Sequence, residues 1–344
     1  MLKDVHNRLR PLGIADILDE TVEIYKSNFV LLVGISAFLY VPLLLTNVAT
    51  NKQPKLDPVH PDMAVAFGYL GFMVLVGCLY ALASWIVTGA LAFGISERYL
   101  GRQTSIGACY RRILKPSTLF SFLAAGILTG LAVGAAFSLW GLVIVVGCFG
   151  VGVAAGFGQG LGGMSGIIAL SCLVAFLTLP MPLYIALRLP LVGPAFVVEM
   201  RGITGSLGRS WGLMKGSMMK AFWLFLLVIV ATTLIETIAT MPFGMSDIKS
   251  IVSATPQSSA TTVLGTIVQT ILGTLLLPIT SIVTILLYYD QRIRKEGFDL
   301  EVLAWELDAT TREMAAQGPA LPHEQIPPGA QYAEEPDPLG GGQP

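Results

Sequence analysis

Charge is scarce in these 344 residues, with Asp, Glu, Lys and Arg together making up 12%. Ordinary soluble domains carry about 25%. The hydrophobic share of 54% and the mean hydropathy of +0.71 point the same way and exclude a typical water-soluble domain. Cysteine is sparse as well. Cys78, Cys109, Cys148 and Cys172 are scattered, form no Cys-x-x-Cys, and lie mostly in apolar runs, where a thiol behaves as a small hydrophobe. That spacing argues against a disulfide framework and a zinc site. Histidine is limited to His6, His60 and His323, all outside the apolar runs. An intramembrane metalloprotease or Ser-His protease would therefore lack an imidazole at depth. The net charge of −1 argues against a general nucleic-acid binder. It conceals an acidic tail, since no basic residue follows Arg312 while Glu313, Glu324, Glu334, Glu335 and Asp337 do.

What is abundant is long apolar sequence. A helix crossing about 30 Å of hydrocarbon needs about 20 apolar residues. Six runs meet that length: Phe29 to Val48, Ala66 to Ser96, Thr118 to Val145, Ile167 to Val198, Ala221 to Thr240, and Thr261 to Tyr289. Only helices or closed barrels satisfy the backbone in lipid, so the expected fold is all-α and polytopic, with six transmembrane helices. The second, fourth and sixth runs are long enough to require tilting, breaking or extension beyond the bilayer. The first run follows 27 polar or amphipathic residues and precedes no small-residue cleavage site, so it reads as a retained helix.

Basic residues support this threading. Seventeen of the 21 Lys and Arg fall before the first run, in the second-to-third and fourth-to-fifth connections, and after the last run. Only Lys52, Lys55 and Lys249 fall on the other side, and Arg188 lies inside the fourth run. By the positive-inside rule both termini are cytoplasmic. The glycine-rich stretch 140–166 reads as an extracytoplasmic extension or a re-entrant loop; a seventh span there would spoil the charge split.

The segments on the basic side resemble one another. Residues 14–26 place Ile14, Ile17, Leu18, Val22 and Tyr25 at helical spacing, with Asp16, Asp19, Glu20 and Glu23 mostly opposite. Residues 105–115 and 205–215 have similar length and also end in lysine. Each precedes an outgoing span, and each returning span ends in an acid, an arginine and a glycine: Glu97, Arg98 and Gly101; Glu199, Arg201 and Gly202; Asp290, Arg292 and Gly297. Three helix-plus-hairpin units are one reading; short charged helices common to any polytopic chain are the other. The expected organisation is an amphipathic N-terminal segment over 1–27, a transmembrane domain over 28–290, an interfacial helix over 291–314, and a disordered acidic Pro/Gly-rich tail over 315–344.

Three stretches carry a family resemblance: Arg10-Pro-Leu with Ile17-Leu-Asp19, Tyr25 and Phe29; Pro194-Ala-Phe-Val-Val-Glu199 with Gly202, Leu207, Arg209-Ser-Trp211 and Lys215-Gly216; and Tyr288 through Glu301. Over roughly residues 10 to 305 the chain resembles the bacterial membrane-domain family that includes the transmembrane part of some glycerophosphodiester phosphodiesterases. The resemblance implies a six-helix module in a bacterial inner membrane and supplies no catalytic residues. The phosphodiesterase chemistry sits in a separate barrel needing about 250 residues, for which this chain has no room.

The polar residues that stand out are few. Arg188 is flanked by Pro180, Pro182, Pro190 and Pro194, which should kink its helix. It either lines a polar cavity, binds a lipid phosphate, or reaches back to the interface. Glu236 lies among Thr232, Thr233, Thr237 and Thr240, and the sixth run offers Thr266, Gln269, Thr270 and Thr274; these are expected to form interhelical hydrogen bonds or part of a solute path. Asp290, Arg292 and Arg294 read as an interfacial ion cluster. Gly126, Gly130 and Gly134 repeat every four residues and permit close helix approach, within the chain or between copies. The function expected is a non-catalytic scaffold, assembly partner or lipid-interacting accessory, with membrane lipids and another membrane protein as partners. It requires no cofactor or metal. The alternative is a small transporter or channel-like protein with a path near Arg188 and Glu236.

Overall fold

The computed structural model describes residues 11–39, 63–154, 172–200, 202–253 and 259–297, together with 300 and 304. The chain divides into Met1–Asp299 and Leu300–Pro344, and the fold below is that of the first unit. The expected tail over 315–344, the loop holding Lys52 and Lys55, and the end of the first apolar run lie outside the described residues. So does most of the interfacial helix expected over 291–314.

Among the described residues every regular element is helical. In chain order they are α1 (Ile14–Ser27), α2 (Phe29–Ser36, extended by a 3-10 turn Ala37–Leu39), α3 (Met63–Tyr99), α4 (Ile106–Ile113), α5 (Pro116–Ala154), α6 (Pro180–Arg188), α7 (Val192–Glu199), α8 (Ile203–Met214), α9 (Met218–Ser253) and α10 (Ser259–Glu296). Five stretches are long and apolar enough to cross a membrane: Met63–Tyr99, Pro116–Gly147, Cys172–Glu199, Met218–Phe243 and Leu264–Glu296. A sixth is reached only if α1 and α2, bent by 86° at Asn28, count as one. The fourth stretch breaks after Arg188, where Leu189 to Leu191 form a turn around Pro190. The extra prolines remove donors from the ladder, as expected of that run. At about 1.5 Å per residue the 37 residues of α3 measure about 56 Å and overrun the hydrocarbon. Helix α5 carries the first part of the glycine-rich stretch to Ala154; residues 155–171 lie outside the described set.

The three short helices each lie just before an apolar helix: α1 before α2, α4 before α5, and α8 before α9. The N-termini of α1 and α4 are held by side chains. Asp16 accepts from Gly13 N at 2.7 Å, and Ser105 Oγ accepts from Ala108 N at 3.3 Å. Two of the returning ends close on a left-handed glycine, Gly101 at φ 74° and Gly297 at φ 64°. The third does not. Met200 takes the left-handed position at φ 52°, while Gly202 is extended and begins α8, so the acid-arginine-glycine similarity is not a shared cap.

The core forms around the second half of α10. Ile282, Val283, Leu286, Tyr288 and Tyr289 are fully or nearly fully buried, enclosed by α1, α2, α3, α7, α8 and α9. Tyr289 shares a 2.6 Å hydrogen bond with Ser96 and lies against the Tyr99 ring. A helix that is apolar all round needs such enclosure. The outer helices do the reverse. Phe67, Leu70, Phe120, Leu131, Val145 and Phe176 are exposed, and apolar exposure on this scale marks a surface meant for lipid or another protein. The same inversion corrects the expected face of α1. Ile17, Thr21 and Ile24 are its buried residues, and Val22 points outward. Tyr25 from that helix donates its hydroxyl to Leu275 O at 3.0 Å, one turn before Pro278, where a proline weakens the helical ladder.

Candidate functional site

Charged residues gather where α10 leaves the core, and they form two groups rather than the single cluster expected from Asp290, Arg292 and Arg294. Positions 290 and 292 lie about 200° apart around a helix, so they face different neighbours. Asp290 is fully buried and is the centre of the first group. Its Oδ1 accepts from Leu12 N at 2.9 Å and from Arg294 Nε at 2.9 Å. Its Oδ2 accepts from Lys220 Nζ at 2.5 Å and from Gln291 Nε2 at 2.9 Å. Lys220 and Arg294 in turn donate to the carbonyl of Leu12, at 2.6 and 2.8 Å. One carboxylate thus ties the chain just ahead of α1 to the start of α9 and the end of α10. Ser217 closes the arrangement by donating to Gln291 Oε1.

The second group joins α7, α8 and α10. Glu199 accepts from Tyr288 Oη at 2.6 Å and from Arg209 Nε at 2.8 Å, with Arg292 Nε 3.9 Å away. Arg209 is also forked onto Glu296, which takes a 3.3 Å bond from Arg292 one turn back. Burial works to lower the Arg209 pKa, but the two carboxylates raise it by more, so its charge is secured. Arg292 lies over the Tyr288 ring, 5.9 Å from its centroid.

Arg188, the last residue of α6, is 8% exposed. Its Nη1 donates to Trp211 O at 2.9 Å and its Nη2 to Tyr184 Oη at 2.7 Å, and its guanidinium carbon is 5.0 Å from each of those two ring centroids. Ser210 Oγ donates back to Arg188 O at 2.8 Å. Lys295 works on the same helix end, donating to Gly212 O, Leu213 O and Lys215 O at 3.2, 2.6 and 2.5 Å. The C-terminal carbonyls of α8 lack intrahelical donors and carry the negative end of its dipole, so both cations are suited to that position. Arg188 therefore reaches the short helix α8 and forms no ion pair with a carboxylate among the described residues.

Glu236 is not brought to it. It is half-buried on α9, about 27 Å along that helix from Met218 at ~1.5 Å per residue. The hydroxyls of Thr232, Thr240 and Thr274 donate to carbonyls four residues back in their own helices. That local bond is the nearest acceptor a mid-helix threonine has in apolar surroundings, and it replaces the expected interhelical bond at those three positions. Lys220, Glu199, Arg209, Gln291 and Glu296 were not singled out as site residues in the sequence. Glu199 and Arg209 appeared there only within the repeat and resemblance motifs; the signal for the charged four was opposite charge at the ends of neighbouring spans and four-residue spacing along α10, and the neutral Gln291 carried none.

Among the described residues no group of His, Cys, Asp and Glu is placed to hold a metal ion. The architecture is that of an α-helical chain with five helices, or six with the bent pair, long and apolar enough to span a membrane. Residues 12–291 match the family described as a domain of unknown function, DUF7847, and the chain belongs to that family. No curated protein and no solved structure matches it.

Proposed function

We propose that this protein is a non-catalytic module of a bacterial inner membrane, threaded six times with both ends cytoplasmic. It acts as a scaffold, assembly partner or lipid-interacting accessory. The observation that carries this reading is the inward turn of the charged side chains around the end of α10. Asp290, Glu199 and their cations bind one another and the ends of helices, so they hold α1, α8 and the bundle in register. The outer faces of the short helices are left as the contact surface.

Site-specific photo-crosslinking in native membranes tests this. A crosslinker at Val22, exposed on α1, is expected to give a reproducible protein or lipid adduct, and one at buried Ile17 is not. Equal, background-level yields at both positions would contradict the reading.

The broken fourth stretch beside Arg188 favours a second reading, a small transporter or channel-like protein, because interrupted helices often line solute sites. That reading requires proteoliposome flux that falls sharply in Arg188→Ala; flux unchanged by the substitution removes Arg188 from any such path.

A further inference from the structure

The three short helices differ in charge. Helix α1 carries Asp16, Asp19, Glu20 and Glu23. Arg209 of α8 and Arg292 of α10 are paired with Glu199 and Glu296, Arg294 with Asp290, and Lys295 with the carbonyls at the end of α8. Helix α4 and its exit carry Arg111, Arg112 and Lys115, and the chain has no carboxylate at all between Glu97 and Glu199. Glu97, the acid nearest in sequence, is engaged by Arg102 at 3.5 Å. Arg111 and Lys115 are exposed and Arg112 is partly so. Arg112 lies over the Phe93 ring at 5.8 Å, and its Nε is buried with no hydrogen-bond partner. None of the three forms an ion pair among the described residues.

The surroundings define what this basic corner meets. Helix α4 joins the end of α3 to the start of α5, two of the stretches able to cross a membrane. Cys109 and Ile113 bury one face, and Tyr110 anchors the helix by donating to Ile35 O at 2.6 Å. Leu114, which caps the end of α4, and Phe120, in the second turn of α5, are exposed and lie within a few residues of the three cations in sequence. Apolar groups flanked by Lys and Arg at the mouth of a span suit the boundary where acyl chains give way to headgroups.

We propose that the α4 corner, formed by Arg111, Arg112 and Lys115 with Leu114 and Phe120, docks anionic phospholipid headgroups. This rests on the membrane reading above and gives the lipid contact a place and a chemistry. Leu114 and Phe120 enter the acyl boundary while the three cations engage lipid phosphates. Each basic residue near such a surface is worth about fivefold in affinity, so the three together give a preference on the order of a hundredfold.

Native mass spectrometry of the full chain, in micelles with equal phosphatidylglycerol and phosphatidylcholine, tests the proposal. The wild type is expected to retain phosphatidylglycerol selectively, and less so as added salt shortens the Debye length. The triple variant Arg111→Gln/Arg112→Gln/Lys115→Gln should lose on the order of a hundredfold of that preference. The charge-keeping pair Arg111→Lys/Arg112→Lys should retain it, as should Lys26→Gln/Lys215→Gln, which removes exposed lysines at α1 and α8. Size-exclusion elution and the thermal midpoint report folding; should the triple variant fail there, Arg111→Gln alone carries the test, with a loss of about fivefold. A wild type without lipid preference, a folded triple variant that keeps it, or an equal loss in Lys26→Gln/Lys215→Gln overturns the proposal. If the Val22 crosslink still gives a protein adduct in that case, only the lipid site fails and the module reading stands.

Discussion

Asp290→Ala is expected to cost about 3–5 kcal/mol of stability, the range for removing one partner of a buried ion pair. The carboxylate accepts four donors and is fully buried, so no water is at hand to replace it. Its loss removes the carboxylate that faces both Lys220 and Arg294 where they meet at the Leu12 carbonyl. Asp290→Asn should fall between, since one oxygen still accepts but the new amide faces donors. Adding Lys220→Met to Asp290→Ala should recover part of the loss, because an unpaired, partly buried cation costs more than a missing pair. Chemical unfolding in detergent micelles measures these effects. Limited proteolysis should also cut faster near Leu12, which Asp290 and its cations fasten to the bundle. A change below about 0.5 kcal/mol, typical of an ordinary surface substitution, would show that the network does not carry the fold.

Gly126→Leu is expected to destabilise by about 1–3 kcal/mol, while Gly130→Leu and Gly134→Leu should be nearly neutral. A Cβ at Gly126 would collide with Cε2 and Nε1 of Trp85. The indole cannot easily withdraw, because its Nε1 donates to Phe122 O at 3.0 Å and its ring stacks on Phe122. Nothing lies within 4 Å of the corresponding positions at Gly130 and Gly134. The four-residue glycine stripe is therefore one close approach to α3 followed by open surface. Equal thermal midpoints for Gly126→Leu and Gly130→Leu would show that the Trp85 contact does not constrain α3 and α5.

Most of the helical layout was legible because it follows from apolar length and punctuation. The second, third, fifth and sixth runs became α3, α5, α9 and α10, and the prolines around Arg188 marked the break between α6 and α7. The ends were less legible. Helix α10 runs to Glu296, carrying Arg292 and Arg294 on its last turns, whereas they were expected beyond the span in a separate interfacial helix. Pairing was the least legible feature. Asp290 and Arg292 are two residues apart in sequence yet answer to different helices, which only the packing of α7, α8 and α9 around α10 decides. Helices with exposed apolar faces also blur the usual cue for burial. Val22 is as apolar as Ile24, but Ile24 faces the core and Val22 faces outward, since both environments welcome a hydrocarbon.

The threading itself is open to direct measurement. Single cysteines at Asn7, Lys52 and Gln343, in a background lacking the native thiols, can be probed with a membrane-impermeant reagent on intact cells. Labelling of Lys52→Cys from outside, with Asn7→Cys and Gln343→Cys reacting only after permeabilisation, is the pattern expected of an even number of crossings. Labelling of Asn7→Cys and Gln343→Cys from opposite faces, or recovery of the protein from the aqueous fraction without detergent, would contradict it.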